Sequence, residues 1–198
     1  DLFAHSMGTV ITRCMVEIWG GEAFVSRCFL AGPPNGGTRL AEIKRFIPWV
    51  TTLAVNGIAT WAPAVISAWV LENVAEAAIG VEDLRPSSSI LADLNSSTKP
   101  VSVPYFILAG CNDKPLHIDA TAWQRLKHKV LLGVDVGLDA LFGEQNDLVI
   151  GLQSMLGVRN GQYPAHLLQR QEVACTHFEY FTDAAAQAQL LTWLQEAK

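Results

Sequence analysis

Cysteine is scarce in this 198-residue chain, and none of Cys14, Cys28, Cys111 and Cys175 stands in a C-x-x-C pair. The spacing excludes the usual zinc-site patterns. Each cysteine sits among apolar neighbours, where a free thiol behaves as a small hydrophobe. Four buried thiols are therefore expected rather than a disulfide framework. Reduced thiols lean towards a reducing compartment such as the cytoplasm. Basic clusters are lacking as well. The 14 Lys and Arg are scattered against 19 Asp and Glu, for a net charge of −5. The densest group, Arg125, Lys127 and Lys129, fits a solvated helix face. A nucleic-acid partner, which needs a concentrated basic surface, is not expected. No repeat or low-complexity tract interrupts the chain.

Apolar residues, by contrast, make up 50% of the sequence, which excludes disorder and suffices for one domain, 1–198, with a sizeable core. Four short apolar runs bounded by turn signals predict buried strands at Asp1–His5, Arg27–Ala31, Pro104–Gly110 and Leu168–Cys175. Helices are predicted between and after them. Met7–Trp19 places Val10, Ile11, Cys14, Met15 and Ile18 on one face, with Gly20 and Gly21 as the stop. Ser87–Leu94 and Asp183–Ala197 are the other candidates. Strands alternating with helices predict an α/β fold with a parallel sheet flanked by helices.

From Phe46 to Leu71 no residue is charged. That length would permit a membrane span. Pro48, Pro63 and the turn pair Asn56-Gly57 divide it, however. The preferred reading is an apolar helical cap over residues 46–82. A plain pair of core helices and a surface that touches a membrane are the competing readings. As a cap, it would bring Trp49, Trp61 and Trp69 to an apolar substrate site.

The most specific local signal is A-H-S-M-G, Ala4 to Gly8. It follows a strand-like run and opens an amphipathic helix, the context a nucleophile elbow requires. There Ser6 occupies a strained turn, and the residues two before and two after must be small because helix and strand approach closely. Gly8 fits, and Ala4 adds one methyl to the usual glycine. The backbone N–H of Met7 could donate to an oxyanion. The simpler alternative is a serine acting as an ordinary helix cap.

A serine hydroxyl needs a base, and the base an orienting carboxylate. The five histidines are His5, His117, His128, His166 and His177. His177 follows the last predicted strand, where the base of such a fold belongs. His166 lies at the wrong end of that strand. His5 adjoins the serine and is assigned to the substrate site. For the acid, Asp147 in G-E-Q-N-D-L-V-I stands roughly thirty residues before His177, and Asp113 in C-N-D-K-P is the second candidate.

With these residues in order, the chain resembles the lipase and esterase branch of the α/β-hydrolase superfamily, and within it bacterial lipase-type hydrolases with a cap. The resemblance rests on A-H-S-M-G, A-G-P-P-N-G-G-T, N-D-L-V-I-G-L-Q-S-M and T-H-F-E-Y-F. The stretch L-R-P-S-S-S-I-L-A-D-L-N also looks like the segment that follows the cap. The resemblance implies Ser6 as nucleophile, Asp147 as acid and His177 as base of ester hydrolysis through an acyl-enzyme. It requires no cofactor, and no metal-ligand set is evident. It also implies strands ahead of the elbow and a second oxyanion donor from a loop among them. The chain instead opens on the elbow strand, so it is expected to be a C-terminal portion of a larger protein, or to be completed by a second polypeptide. The expected substrate is a small-molecule or lipid-like hydrophobic ester. An acyltransferase with the same triad and a non-catalytic interaction module of the same fold are the alternatives.

Overall fold

In the computed structural model the described residues are 1–38, 41, 82–111, 144–158 and 163–196. Four strands, β1 (Leu2–His5), β2 (Cys28–Ala31), β3 (Tyr105–Gly110) and β4 (Leu168–Val173), form one sheet in the order β1-β2-β3-β4. Every neighbouring pair is parallel, with Leu2 opposite Cys28, Cys28 opposite Tyr105, and Tyr105 opposite Leu168. The helices are α1 (Met7–Arg13), α2 (Ser89–Ser96), α3 (Leu152–Leu156) and α4 (Ala184–Glu196). The architecture is α/β, as the alternation of strands and helices predicts.

Only the two middle strands are buried throughout, and they read as continuous apolar runs, C-F-L-A and Y-F-I-L-A-G. Such runs suit strands covered on both faces. The expectation of four buried strands needs correction for the other two. In β4 residues Gln169 to Glu172 are exposed, and β1 is only partly buried. β4 lies at the edge of the sheet formed by the described residues, where the polar run Gln-Arg-Gln-Glu discourages pairing with another chain. β1 pairs with β2 alone among the described residues.

The period of two sorts side chains onto two faces. Phe29, Ala31, Phe106 and Leu108 pack with Ala186, Leu190 and Trp193 of α4. Cys28, Leu30, Tyr105 and Ile107 pack on the other face with Val16, Val158 and Tyr163. A row of rings crosses the α4 face. Phe3 stacks on Phe29 at 4.5 Å, Phe29 on Phe106 at 4.8 Å, and Phe106 meets Trp193 at 5.4 Å.

The predicted helix Met7–Trp19 changes character midway. α1 gives way to a π-helical turn over Cys14–Ile18, in which the Trp19 N–H donates to the Cys14 carbonyl. Gly20 then takes φ 77, a left-handed conformation that ends the helix. The buried face is displaced from the expected stripe already within α1. Val10 and Cys14 are buried, but Ile11 and Ile18 are exposed. Arg13 and Glu17 are carried inward instead.

Those two residues anchor a buried polar cluster. Arg13 Nε donates to Glu17 Oε1 at 2.9 Å and Nη2 to Glu17 Oε2 at 3.2 Å. The guanidinium also reaches the Tyr163 hydroxyl at 3.1 Å and Asn35 Oδ1 at 3.1 Å. The Tyr163 hydroxyl donates to Glu17. Asn35 Nδ2 donates to the Met155 carbonyl, and Asn95 Nδ2 to the Asn35 carbonyl. One cation thus joins the elbow helix to the loop after β2, to α2 and to the segment before β4, while Asn35 extends the link to α3.

All four cysteines are buried, as their apolar surroundings predict. Burial pushes the Cys28 and Cys175 thiols up to about 12, so they stay protonated and inert. Among the described residues no helix is long and apolar enough to cross a membrane. The expected cap, 46–82, lies outside the described residues apart from Glu82.

Candidate active site

β1 ends at His5, and Ser6 turns the chain into α1. Ser6 has φ 52 and ψ −129, a conformation L-residues rarely adopt. Its N–H donates to the Ala31 carbonyl at 3.0 Å, and its carbonyl accepts from the Thr9 N–H and, at 2.6 Å, from the Thr9 hydroxyl. These bonds hold the strained turn. They leave the Ser6 hydroxyl, half-buried, at the carboxyl end of the sheet, where open α/β folds place their chemistry. The close approach expected at Gly8 is absent: among the described residues, a Cβ there would meet nothing within 4 Å. The reason is orientation. Gly8 shares the helix face of Met7 and Ile11, which is turned to the exterior rather than onto the sheet.

His177 lies in the turn that follows β4 and is buried. Its Nε2 lies 2.8 Å from Ser6 Oγ, and its Nδ1 2.7 Å from Asp147 Oδ2. An ionised carboxylate only accepts, so Nδ1 carries the proton and Nε2 is free to accept from the serine hydroxyl. The main chain reinforces the pair, since the His177 N–H donates to the Asp147 carbonyl at 2.7 Å.

Asp147 is fully buried in a tight loop between Glu144 and Gly151. Its Oδ1 accepts from the N–H groups of Val149 at 3.1 Å and Ile150 at 2.8 Å. Its Oδ2 accepts from His177 and from the Tyr180 hydroxyl at 2.8 Å. Both oxygens are thus satisfied, which a buried carboxylate requires. The next residue, Leu148, has φ 81, and its N–H donates to Asn146 Oδ1 at 2.9 Å. Ser6 and Leu148 are the non-glycine residues of positive φ among those described. One carries the hydroxyl and the other adjoins the carboxylate. Such strain, of order 1–3 kcal/mol each, persists only where surrounding bonds over-determine the backbone.

His5, expected at the substrate site, is bonded to the main chain of His177. Its Nε2 lies 2.8 Å from the His177 carbonyl, and the two rings are 4.6 Å apart. To donate there the ring needs no positive charge. Burial, and then the neighbouring His177, lower His5 from its ordinary 6.5 to about 4. Below 6.5 the unfolded chain takes up a proton that the folded chain refuses until about 4, so stability is lost as pH falls through that window. His5→Gln keeps a donor for the carbonyl but cannot titrate. Urea unfolding measured at pH steps across the window should show the variant losing less stability than the parent, by on the order of 2–3 kcal/mol. Parallel curves for the two proteins would contradict this account.

Sequence reasoning overlooked Tyr180, although it lies within the T-H-F-E-Y-F segment. It also overlooked Gly110, where a Cβ would come within 2.7 Å of the Cys175 carbonyl and the Tyr180 hydroxyl. Glycine at the end of a buried strand was the available signal. Of the other candidates, His166 sits in the turn Ala165–Leu167 before β4, at the far end of the strand from Ser6. Trp49, Trp61, Trp69, Asp113, His117 and His128 lie outside the described residues. No group of three or more candidate metal ligands occurs among the described residues.

Solved bacterial lipases and esterases share this fold at low sequence identity. Lipase 1 from Pelosinus fermentans aligns with a TM-score of 0.65 at 15% identity, over 99% of this chain and 71% of its own. Bacillus licheniformis lipase BlEst2 in mature form aligns with 0.54 at 16% identity, over 98% of this chain and 64% of its own. EstA from Clostridium botulinum aligns with 0.53 at 16% identity, over 90% of this chain and 59% of its own. The chain thus spans less than two thirds of the length of BlEst2 and EstA. No curated protein matches its sequence. One family profile, described as a domain of unknown function (DUF7379), matches residues 1–195, and the chain belongs to that family.

Proposed function

We propose that this chain carries the catalytic residues of a serine hydrolase that cleaves carboxylic esters through an acyl-enzyme on Ser6. The carrying observation is the continuous line of hydrogen bonds from Ser6 Oγ through His177 to Asp147, at 2.8 and 2.7 Å. His177 Nε2 takes the proton of Ser6 as Oγ attacks the ester carbonyl carbon. Asp147 keeps the proton on Nδ1 and stabilises the imidazolium that forms. The imidazolium returns a proton to the leaving alcohol as the acyl–oxygen bond breaks. Water, deprotonated by the same nitrogen, then releases the acid and frees Ser6.

The tetrahedral intermediate places negative charge on the former carbonyl oxygen. The N–H of Met7, the first residue of α1, supports an oxyanion site, because the first helical N–H groups have no acceptor within their helix. A second donor belongs to a segment that pairs with β1. Leu2 and Ser6 direct their N–H groups to β2, so Phe3 and His5, the alternate residues, direct theirs to the opposite edge. Phe3 and Ile11 are 46% and 55% exposed, an apolar margin suited to such a segment. The substrate class we assign is a hydrophobic or lipid-like ester. The exposed Met7 beside Ser6, Phe178 against His177 and Phe181 against His5 support that choice.

Labelling with a fluorophosphonate tests the proposal, using this chain and any longer natural form beside their Ser6→Ala variants. Phosphonylation with loss of fluoride that vanishes in Ser6→Ala is the expected result. Labelling in the longer form alone would place the second donor outside this chain. A lack of labelling in both would overturn the reading in favour of a binding module.

A further inference from the structure

We propose that Tyr180 is a positioning residue for the Asp147–His177 pair, holding the carboxylate oxygen that faces the imidazole and setting the basicity of His177. The inference rests on the hydrolase reading above only for its kinetic consequence.

The geometry is specific. The Tyr180 hydroxyl accepts from the Gly110 N–H at 2.7 Å, at the very end of β3. An oxygen that accepts there turns its own proton elsewhere. Two acceptors are within reach, Asp147 Oδ2 at 2.8 Å and Met155 Sδ at 3.3 Å, and the charged oxygen is much the stronger. The proton therefore goes to the oxygen that also receives His177 Nδ1–H. The ring is 1% exposed and lies in a niche that two glycines keep open. A Cβ at Gly32, just past β2, would meet Tyr180 Cε2 at 2.7 Å. A Cβ at Gly110 would meet the Tyr180 hydroxyl at 2.7 Å and Asp147 Cβ at 2.9 Å. The ends of the two buried strands thus hold the phenol, and the phenol holds the acid. Burial, then the charge of Asp147, push the phenol well above its ordinary value, so it remains a donor across the working pH range.

The consequence is electrostatic. Oδ2 shares its negative charge between two donors. Without the phenol proton, His177 Nδ1–H faces the whole of it, and the imidazolium gains over the imidazole. His177 should therefore hold its proton to a higher pH. The carboxylate also loses one of the bonds that fix its direction.

Tyr180→Phe is the decisive variant, because the ring still fills the glycine niche. The His177 imidazole proton resonances, followed by NMR against pH in the full chain, should titrate about one pH unit higher than in the parent. The acid limb of the phosphonate-labelling or ester-hydrolysis profile should move up by the same amount. kcat should fall about ten-fold with KM unchanged, as one lost bond to a charged group implies. A variant that unfolds at lower urea while titration and acid limb stay in place would show a packing residue and overturn the proposal. A downward shift would also overturn it. The two readings remain separable. Absence of Ser6-dependent labelling in the parent, with an upward shift in the NMR titration, would sink the hydrolase and leave the positioning role standing.

Discussion

Asp147→Asn should lower kcat by about 10⁴-fold while leaving the fold intact. The structure dictates how the amide will sit. Oδ1 of Asp147 accepts from two backbone N–H groups, those of Val149 and Ile150, so only an oxygen can occupy that side. The amide nitrogen must then take the place of Oδ2, against His177 Nδ1 and the Tyr180 hydroxyl. Two donors cannot face each other, so the imidazole moves its proton to Nε2. That nitrogen then points a proton at Ser6 Oγ and can no longer accept one. Single-turnover acylation at saturating ester, with circular dichroism as a control for folding, would measure the effect. A loss of less than about ten-fold would mean that Asp147 is not the orienting acid.

The second large effect concerns stability. Arg13→Met should cost about 3–5 kcal/mol, a large share of the 5–15 kcal/mol typical of a domain. The guanidinium is fully buried and serves Glu17, Tyr163 and Asn35 together. Without it the buried Glu17 carboxylate keeps the Tyr163 hydroxyl but loses the adjacent charge of Arg13. The cost thus arises from removing the cation that faces a buried carboxylate, and removing both charges should recover much of it. The double variant Arg13→Met, Glu17→Leu should therefore be more stable than Arg13→Met alone. Urea unfolding of the two single variants and the double variant closes the cycle. Additive losses would show that the two side chains act independently and that the cluster is not a unit.

Much of the site was legible along the chain because its signals are local. The elbow is a sharp turn at a single residue, and A-H-S-M-G places that serine between a strand-like run and an amphipathic helix. His177 could be picked because it follows a strand-like run, and the loop after a parallel strand is where such a sheet opens. Tyr180 carried no such mark. It is one aromatic residue in an amphipathic segment, and its meaning depends on Gly32, Gly110 and Asp147, which come from three other segments. The buried face of the first helix was likewise hidden, since Ile11 and Ile18 fit a helical stripe in sequence, yet both are exposed while Arg13 and Glu17 are buried.

The sequence by itself determined the strands, the α/β alternation, the burial of the four thiols and the position of the elbow. These follow from short-range patterns: apolar runs, periodicity and turn chemistry. Only the tertiary structure decided that Asp147 lies against His177, that His5 bonds to the His177 carbonyl, and that β1 and β4 are the outer strands of the described sheet. Each of these depends on which distant segments pair, and pairing is set by the packing of whole faces. A local pattern records that a residue is apolar or polar, but not which partner burial will give it.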